Sequence, residues 1–327
     1  MSLQGLRGTA PGRDGTEDGH LPVMVGEAVA ALSPVPGSLQ IDATVGGGGH
    51  AERILEASTP DGRLVGLDAD RAAIARARQR LARFGDRVVL RQANFGEVGE
   101  VAPAAGFTEV DGVLFDLGLS SDQLADPTRG FSFRSDAPLD MRFDPSLGTP
   151  AHELLGGLPA DELAAIFRRY GEEPFAGRIA RAIVAQRSDP RTVTGTGLAA
   201  LVERVIPRGP RRRIHPATRV FQALRIAVNR ELESLERGLA GALALLRPGG
   251  RLVVISYHSL EDRIVKRFFA AERRGCTCPP ELPVCVCGRR PRLHLVGRQP
   301  QRPTPEEIHR NPRSRSARLR AAERSVA

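Results

Sequence analysis

From about residue 20 to 122, short apolar runs alternate with segments of helical period. Leu39-Gln-Ile-Asp42 reads as a strand, followed by a glycine loop and a helical stretch from Ala51 to Ala57. Leu64-Val-Gly-Leu-Asp68 reads as a second strand, and Arg71 to Phe84 as a helix with Ile74, Ala77 and Leu81 on one face. Val88 to Arg91 and Val110 to Asp116 supply two more strands. Strands alternating with helices predict a parallel α/β sheet. From about 149 to 206 the period is helical throughout, carried by Leu163, Ile166, Phe167 and Tyr170, then Ile179 and Ile183, then Leu198, Leu201, Val202 and Val205. Thr149 is expected to cap a helix whose first position is Pro150. Pro216 is expected to start one long helix reaching Leu246, broken by Pro248-Gly-Gly250 before Arg251 to Tyr257 resumes the strand pattern.

This pattern predicts one α/β domain interrupted by helices. Residues 1–18 lack apolar periodicity and are expected to be a disordered tail. Residues 19–125 form the first part of the α/β domain and 126–215 a helical insertion for substrate recognition. Residues 216–327 return to the α/β domain, with a cysteine-containing loop and a basic tail.

A chain of 327 residues has room for two domains and a sizeable core. No charged start followed by an apolar stretch suggests a secretory signal, and runs such as Leu252 to Ile255 fall far short of the roughly 18 residues that a membrane span needs. A cytoplasmic protein without membrane contact is expected; the pattern does not separate monomer from homodimer. The formal net charge is +9, and Lys266 is the single lysine. Genome composition accounts for the arginine-to-lysine ratio but not for the net excess, and guanidinium forks match phosphate geometry. A polyanionic partner follows. Aromatics make up 4% with no Trp, which disfavours binding of single strands mainly by base stacking.

Gly46-Gly-Gly-Gly49-His50 follows a strand and opens a helix, and Gly46, Gly48 and Ala51 satisfy G-x-G-x-x-A. Asp68 ends the next strand, placed to accept both hydroxyls of a ribose. Without that acid the loop would read as a tight turn. The loop lacks the P-loop pattern, so NAD and S-adenosylmethionine remain as ligands. Asp42, just before the loop, favours the latter, because a carboxylate there attracts a sulfonium or ammonium and repels a pyrophosphate. Asn94-Phe95 after the third strand is a candidate adenine contact. Asp116 ends the fourth strand and faces the same crevice, where it would meet donor and acceptor.

Longer motifs then appear in order: Asp42 to His50, Asp111 to Ser121, Arg129-Gly-Phe-Ser-Phe133, Pro138-Leu-Asp-Met-Arg142, Tyr170-Gly-Glu-Glu173, His215 to Arg225, Ile255 to Arg263 and Asn311 to Ala317. In these the chain resembles the ribosomal RNA small subunit methyltransferase H family, bacterial cytosine-N4 methyltransferases, over nearly everything from His20 to Arg320. The resemblance implies a Rossmann-like S-adenosylmethionine-dependent methyltransferase sheet with an inserted all-helical domain. It implies methyl transfer to the exocyclic N4 of one cytidine in the decoding region of 16S ribosomal RNA, within the small ribosomal subunit. Cofactor contacts carried over by motif are Gly48, Gly49, His50, Asp68, Phe95, Asp116 and Gln123. Phe143 and Tyr257 stand where the family is expected often to hold Met and Phe. The rival readings are an NAD-dependent oxidoreductase and a non-catalytic RNA-binding assembly factor, the latter disfavoured by the intact cofactor motif.

A cytosine amine is a poor nucleophile because its lone pair delocalises into the ring. Asp116 or a nearby backbone carbonyl is expected to accept an amine hydrogen, with Ser120, Ser121 and His258 shaping the base pocket. Methylation at C5 would use a cysteine nucleophile, and no cysteine follows strand four. The target base must be unpaired or extruded. Thr218, Gln222, Arg225 and Asn229 form one polar helical stripe expected to face substrate. Arg211, Arg212 and Arg213 (with Arg208), Arg219, Arg225, Arg313 and Arg315 (with Arg318 and Arg320) are the phosphate-contact candidates. Cys276, Cys278, Cys285 and Cys287 are read as reduced thiols rather than a zinc site, since C-x-C is tighter than the usual ligand spacing and disulfides are rare in the cytoplasm.

Overall fold

The protein is described by a computed structural model at residues 22–207, 215–274, 278–279, 283–284, 286–288 and 290–326. The tail expected at 1–18, the arginines at 208 and 211–213, and Cys276 and Cys285 lie outside the described residues. Helix α1 (Val25–Leu32) precedes β1 (Leu39–Asp42), α2 (Gly49–Ala57), β2 (Arg63–Asp68), α3 (Arg71–Leu81), β3 (Val88–Gln92), α4 (Val98–Ala104), β4 (Val110–Asp116) and α5 (Ser121–Ala125). Helices α6 (Ala151–Gly157), α7 (Ala160–Gly171), α8 (Ala176–Gln186), α9 (Gly195–Val205), α10 (Thr218–Asn229) and α11 (Glu231–Leu245) follow. Strand β5 (Leu246–Ser256), α12 (Ser259–Arg274), β6 (Leu293–Leu295), α13 (Pro305–Arg310) and β7 (Arg318–Arg324) complete the chain.

The seven strands run in the order β3-β2-β1-β4-β5-β7-β6. β1 to β5 are parallel, and β7 is inserted antiparallel between β5 and β6. Alternation along the central strands feeds two cores. Val113, Phe115, Leu252 and Val254 face α4, α11 and α12, whereas Leu114, Val253 and Ile255 face α1, α2 and α3. Strand order reverses between β1 and β4, so their carboxyl ends open a crevice there.

A third core is mainly helical, with Phe131, Leu139 and Met141 added from the loops before α6. It joins Leu155 of α6, Phe167 of α7, Ile179 and Ile183 of α8, and Leu198 and Val202 of α9 to Val220 and Leu224 of α10. Helix α10, which the sequence boundary at 215 groups with the second α/β segment, thus packs with the helices before it. The single helix expected from Pro216 to Leu246 is two, divided at Arg230, whose φ of 50° closes α10 and turns the chain into α11. Thr149 is not the cap of α6; Pro150 holds that place in extended conformation and the helix starts at Ala151. Helix α3 stops at Leu81 because the chain tightens into a 3-10 turn across Ala82–Arg87, with Gly85 at φ 54°. Strand β5 begins at Leu246, and Pro248-Gly-Gly250 falls where its register against β4 jumps from Val110↔Leu246 to Gly112↔Arg251. The segment read as a basic tail contains β7, because Leu319, Ala321 and Ala322 alternate into the cores. No helix among the described residues is long and apolar enough to cross a membrane.

Candidate active site

The carboxyl ends of β1, β2, β4 and β5 border a cavity of about 550 Å³, whose far wall is built by the helical core. The glycine loop enters it from β1. Gly46 (φ 52°) and Gly48 (φ 86°) hold left-handed backbone that a side chain would strain, and this folds the loop back onto α2. Asp68 braces the turn: Oδ2 accepts from the Gly46 amide at 2.9 Å and Oδ1 from the Asp70 amide at 2.8 Å. A Cβ at Gly47 would meet nothing within 4 Å, so the loop's backbone faces open space. Gly49, His50, Asp68, Phe95, Asp116 and Gln123, expected as cofactor contacts, all line the cavity. Gly48 does not. Its Cβ would press on Leu81 Cγ at 3.3 Å, so this glycine permits packing of the loop against α3.

Three carboxylates surround the loop. Burial raises Asp42 from its ordinary 3.8 to about 7; the His50 field and a hydrogen bond from the Thr44 amide oppose the rise, and Asp116 and Asp68 add to it. Asp42 Oδ2 is buried with no hydrogen-bond partner. Asp68 is raised to about 6, mainly by desolvation. Asp70 moves the other way: desolvation pushes it up, but hydrogen bonds from Gln123 and Arg129 outweigh this and hold it below the usual carboxylate range. It caps α3 at the Ala72 amide and accepts from Gln123 Nε2 at 3.0 Å and Arg129 Nη1 at 2.9 Å. Gln123 is therefore spent on structure at both ends, since its Oε1 accepts from the Ser120 amide at 3.0 Å.

The fourth-strand acid is held from several sides. The Asp116 amide donates to Thr44 Oγ1 at 2.6 Å, Tyr257 Oη donates to Asp116 Oδ1 at 2.7 Å, and His50 Nδ1 lies 3.5 Å from Oδ2. Ser120, Ser121 and His258 line the cavity too. Ser120 Oγ caps α5 by accepting from the Gln123 amide at 3.1 Å. His258 Nε2 sits 3.0 Å from buried Glu261 Oε1. Desolvation raises Glu261, yet His258, Arg225 and the Tyr257 amide bring it below its ordinary value.

Opposite the acids stands an aromatic wall. Phe131, Phe133, Phe143 and Phe221 line the cavity from the helical side. Phe133 stacks on His215 at 4.5 Å between centroids and meets Phe221 edge to face at 5.9 Å. These residues, with Thr44 and Tyr257, were not singled out by spacing; the aromatics of Arg129-Gly-Phe-Ser-Phe133 were the available signal. Thr218, Gln222 and Arg225 of the polar stripe also line the cavity, and Asn229 instead holds the Met141 carbonyl at 2.7 Å.

The arginines sort by environment. Arg313 is exposed at the cavity, Arg315 is exposed away from it, and Arg219 is exposed with Nη1 on the Glu172 carbonyl at 2.9 Å. Arg225 is not a phosphate contact, because its guanidinium is committed to Glu231 through bonds of 2.7 and 2.9 Å inside the packing. Arg318 and Arg320 are both paired with Asp262. Among the described residues, no group of three or more His, Cys, Asp or Glu is arranged to hold a metal.

The donor set fits a ligand with a ribose and a positive centre. The Gly46–Gly49 backbone offers close approach, Asp68 offers hydroxyl acceptors, and the unpartnered Asp42 oxygen adds to a field of Asp42, Asp68 and Asp116 that favours a cation and opposes a pyrophosphate.

The MraW methylase family matches residues 17–325. Ribosomal RNA small subunit methyltransferase H of Thermomicrobium roseum is 60% identical over 306 residues, covering 93% of this chain and 93% of that protein. The protein of the same name from Syntrophotalea carbinolica is 54% identical over 306 residues, covering 93% of this chain and 98% of its own. Among solved structures, an rRNA methylase from Streptococcus thermophilus aligns over 92% of this chain and 94% of that one, with 12% identity and a TM-score of 0.38.

Proposed function

Because the chain belongs to the MraW methylase family, we propose that this S-adenosylmethionine-dependent ribosomal RNA methyltransferase acts on the exocyclic N4 amine of one cytidine in the decoding region of 16S ribosomal RNA. The observation that carries this reading is a single cavity bordered by the glycine loop and Asp68 at one end, Asp116 at the strand switch, and an aromatic wall beyond. When bound, S-adenosylmethionine supplies an electrophilic methyl group on a sulfonium sulfur. Gly49, His50, Asp68 and Phe95 are the residues placed to hold it, with Asp42 lending charge complementarity from beneath.

The chain's own part in the reaction is orientation and proton handling. Asp116 accepts a hydrogen from the amine, which turns the nitrogen lone pair out of conjugation and toward the methyl carbon. The proton that the methylated nitrogen must shed would pass to Asp116, whereas a neighbouring backbone carbonyl would only accept a hydrogen bond from the amine. Phe131, Phe133, Phe143 and Phe221 offer apolar faces for an extruded base, and Ser121 and His258 border its polar edge. Arg219, Arg313 and Arg315 remain exposed to meet phosphates of the small-subunit RNA, joined by the sequence-assigned Arg211 to Arg213. A cytoplasmic site of action follows from that substrate.

Mass spectrometry of 16S RNA nucleosides, treated and untreated with the protein, tests the assignment. N4-methylcytidine at one position is the expected product; a methyl mark on another atom or base overturns it. Asp116→Asn is expected to lose far more in turnover than in donor affinity.

A further inference from the structure

We infer that Tyr257 is a positioning residue for methyl transfer: its hydroxyl fixes one oxygen of Asp116 so that the carboxylate meets the amine in a single orientation. The inference rests on the reading that Asp116 accepts from that amine. Tyr257 is the first residue beyond β5 and Asp116 the last of β4, on neighbouring parallel strands in which Asp116 pairs with Ile255. Both side chains consequently emerge at the crevice, and Oη donates to Oδ1 at 2.7 Å.

The tyrosine is itself held. Its amide donates to Glu261 Oε2 at 2.8 Å, and its ring lies over Gly118, where a Cβ would come within 3.5 Å of Cδ2. Desolvation and the adjacent Asp116 push the phenol well above its ordinary range, so it stays a donor. The second oxygen of Asp116 has a different neighbour. His50 Nε2 lies 3.0 Å from the Val23 carbonyl, which only accepts, so this nitrogen carries a hydrogen. The His50 Nδ1 lies 3.5 Å from Asp116 Oδ2. Asp42 couples to Asp116 as a like charge from β1. The Tyr257 hydroxyl favours the ionised carboxylate and sets its plane.

The test compares the full chain with its Tyr257→Phe variant, which keeps the ring and deletes one oxygen. Single-turnover methylation of small subunits is followed across pH, and donor affinity is measured by calorimetry. The variant is expected to bind donor within about twofold of wild type and to lose roughly 10- to 100-fold in rate, the size of one hydrogen bond to a charged acceptor. Its acidic limb is expected to move to higher pH. An unchanged rate and pH profile overturns the assignment of Tyr257, as does a loss confined to donor affinity. A wild-type chain that leaves the cytidine amine unmethylated overturns the functional reading instead, before any variant is compared.

Emission gives an independent readout, because the chain has two tyrosines and no tryptophan. A carboxylate acceptor quenches phenol fluorescence. Asp116→Asn is therefore expected to brighten the protein in the wild-type background and to leave Tyr257→Phe unchanged; equal response in both backgrounds overturns the contact.

Discussion

Arg225 and Glu231 close the bend between α10 and α11, with Nε on Oε1 at 2.7 Å and Nη2 on Oε2 at 2.9 Å. Both side chains are mostly enclosed, at 13% and 6% exposure, so this is an internal tie between the helical core and the sheet rather than a surface pair. Arg225→Ala would strand Glu231 in a desolvated place, at a cost of about 3–5 kcal/mol. Chemical denaturation is expected to show that loss, while the salt dependence of RNA binding keeps its slope. A flattened slope with unchanged stability would return Arg225 to the phosphate contacts.

Asp42 couples donor binding to protons. Its carboxyl ionises near 3.8 ordinarily and at about 7 in the folded chain, with burial the leading cause. Between those values the folded state binds more protons than the unfolded one, so this group's contribution to stability falls as pH rises through the window, by at most about 1.4 kcal/mol per pH unit. Asp42→Asn is expected to remove that slope and gain relative stability above neutrality. A cationic donor favours the ionised carboxyl, so S-adenosylmethionine binding near pH 7 is expected to release protons in wild type and fewer in the variant. Calorimetry in two buffers of different ionisation enthalpy measures the difference; equal proton counts would refute it.

Gly48→Ala tests the turn. The left-handed φ of 86° costs a side-chain residue roughly 1–2 kcal/mol, and the new methyl would press on Leu81 at 3.3 Å. Reduced thermal stability together with weaker donor binding is expected, since Gly49 and His50 are positioned by this turn. Wild-type values for both would show that the loop has another stable path.

Arg211, Arg212 and Arg213 are expected to act through charge alone. Replacing all three with Gln should weaken RNA binding and lower the slope of log affinity against log salt by about 2, at roughly 0.7 per lost contact to a single strand. Filter binding at several salt concentrations checks this, and parallel lines for the two proteins would exclude these arginines from the interface.

The layers of this fold were legible in the sequence because burial on both faces of a parallel sheet writes itself locally. Apolar runs mark β1, β2, β4 and β5, and the helical period marks α7, α8 and α9. The glycine loop and Asp68 were legible for a similar reason: the turn needs left-handed backbone at Gly46 and Gly48, and the acid ends the next strand. Local pattern was a poorer guide where tertiary packing overrides the local preference of the backbone. The left-handed Arg230 divides a helix whose apolar period runs straight through it, and β7 lies within a stretch whose arginines suggested a solvated tail.

Which side chains meet was decided by tertiary structure. Asp116 and Tyr257 lie 141 positions apart and touch because β4 and β5 are adjacent and in one register. Residue types alone put Arg225, Arg318 and Arg320 among the phosphate contacts; folding gave them Glu231 and Asp262 as partners. The sequence by itself determined the layers, the cofactor turn and the kind of chemistry, since each depends on near neighbours along the chain. Strand order and helix packing determined the acid's orientation, the aromatic wall and the charges left exposed, because those depend on distances through space that no local period encodes.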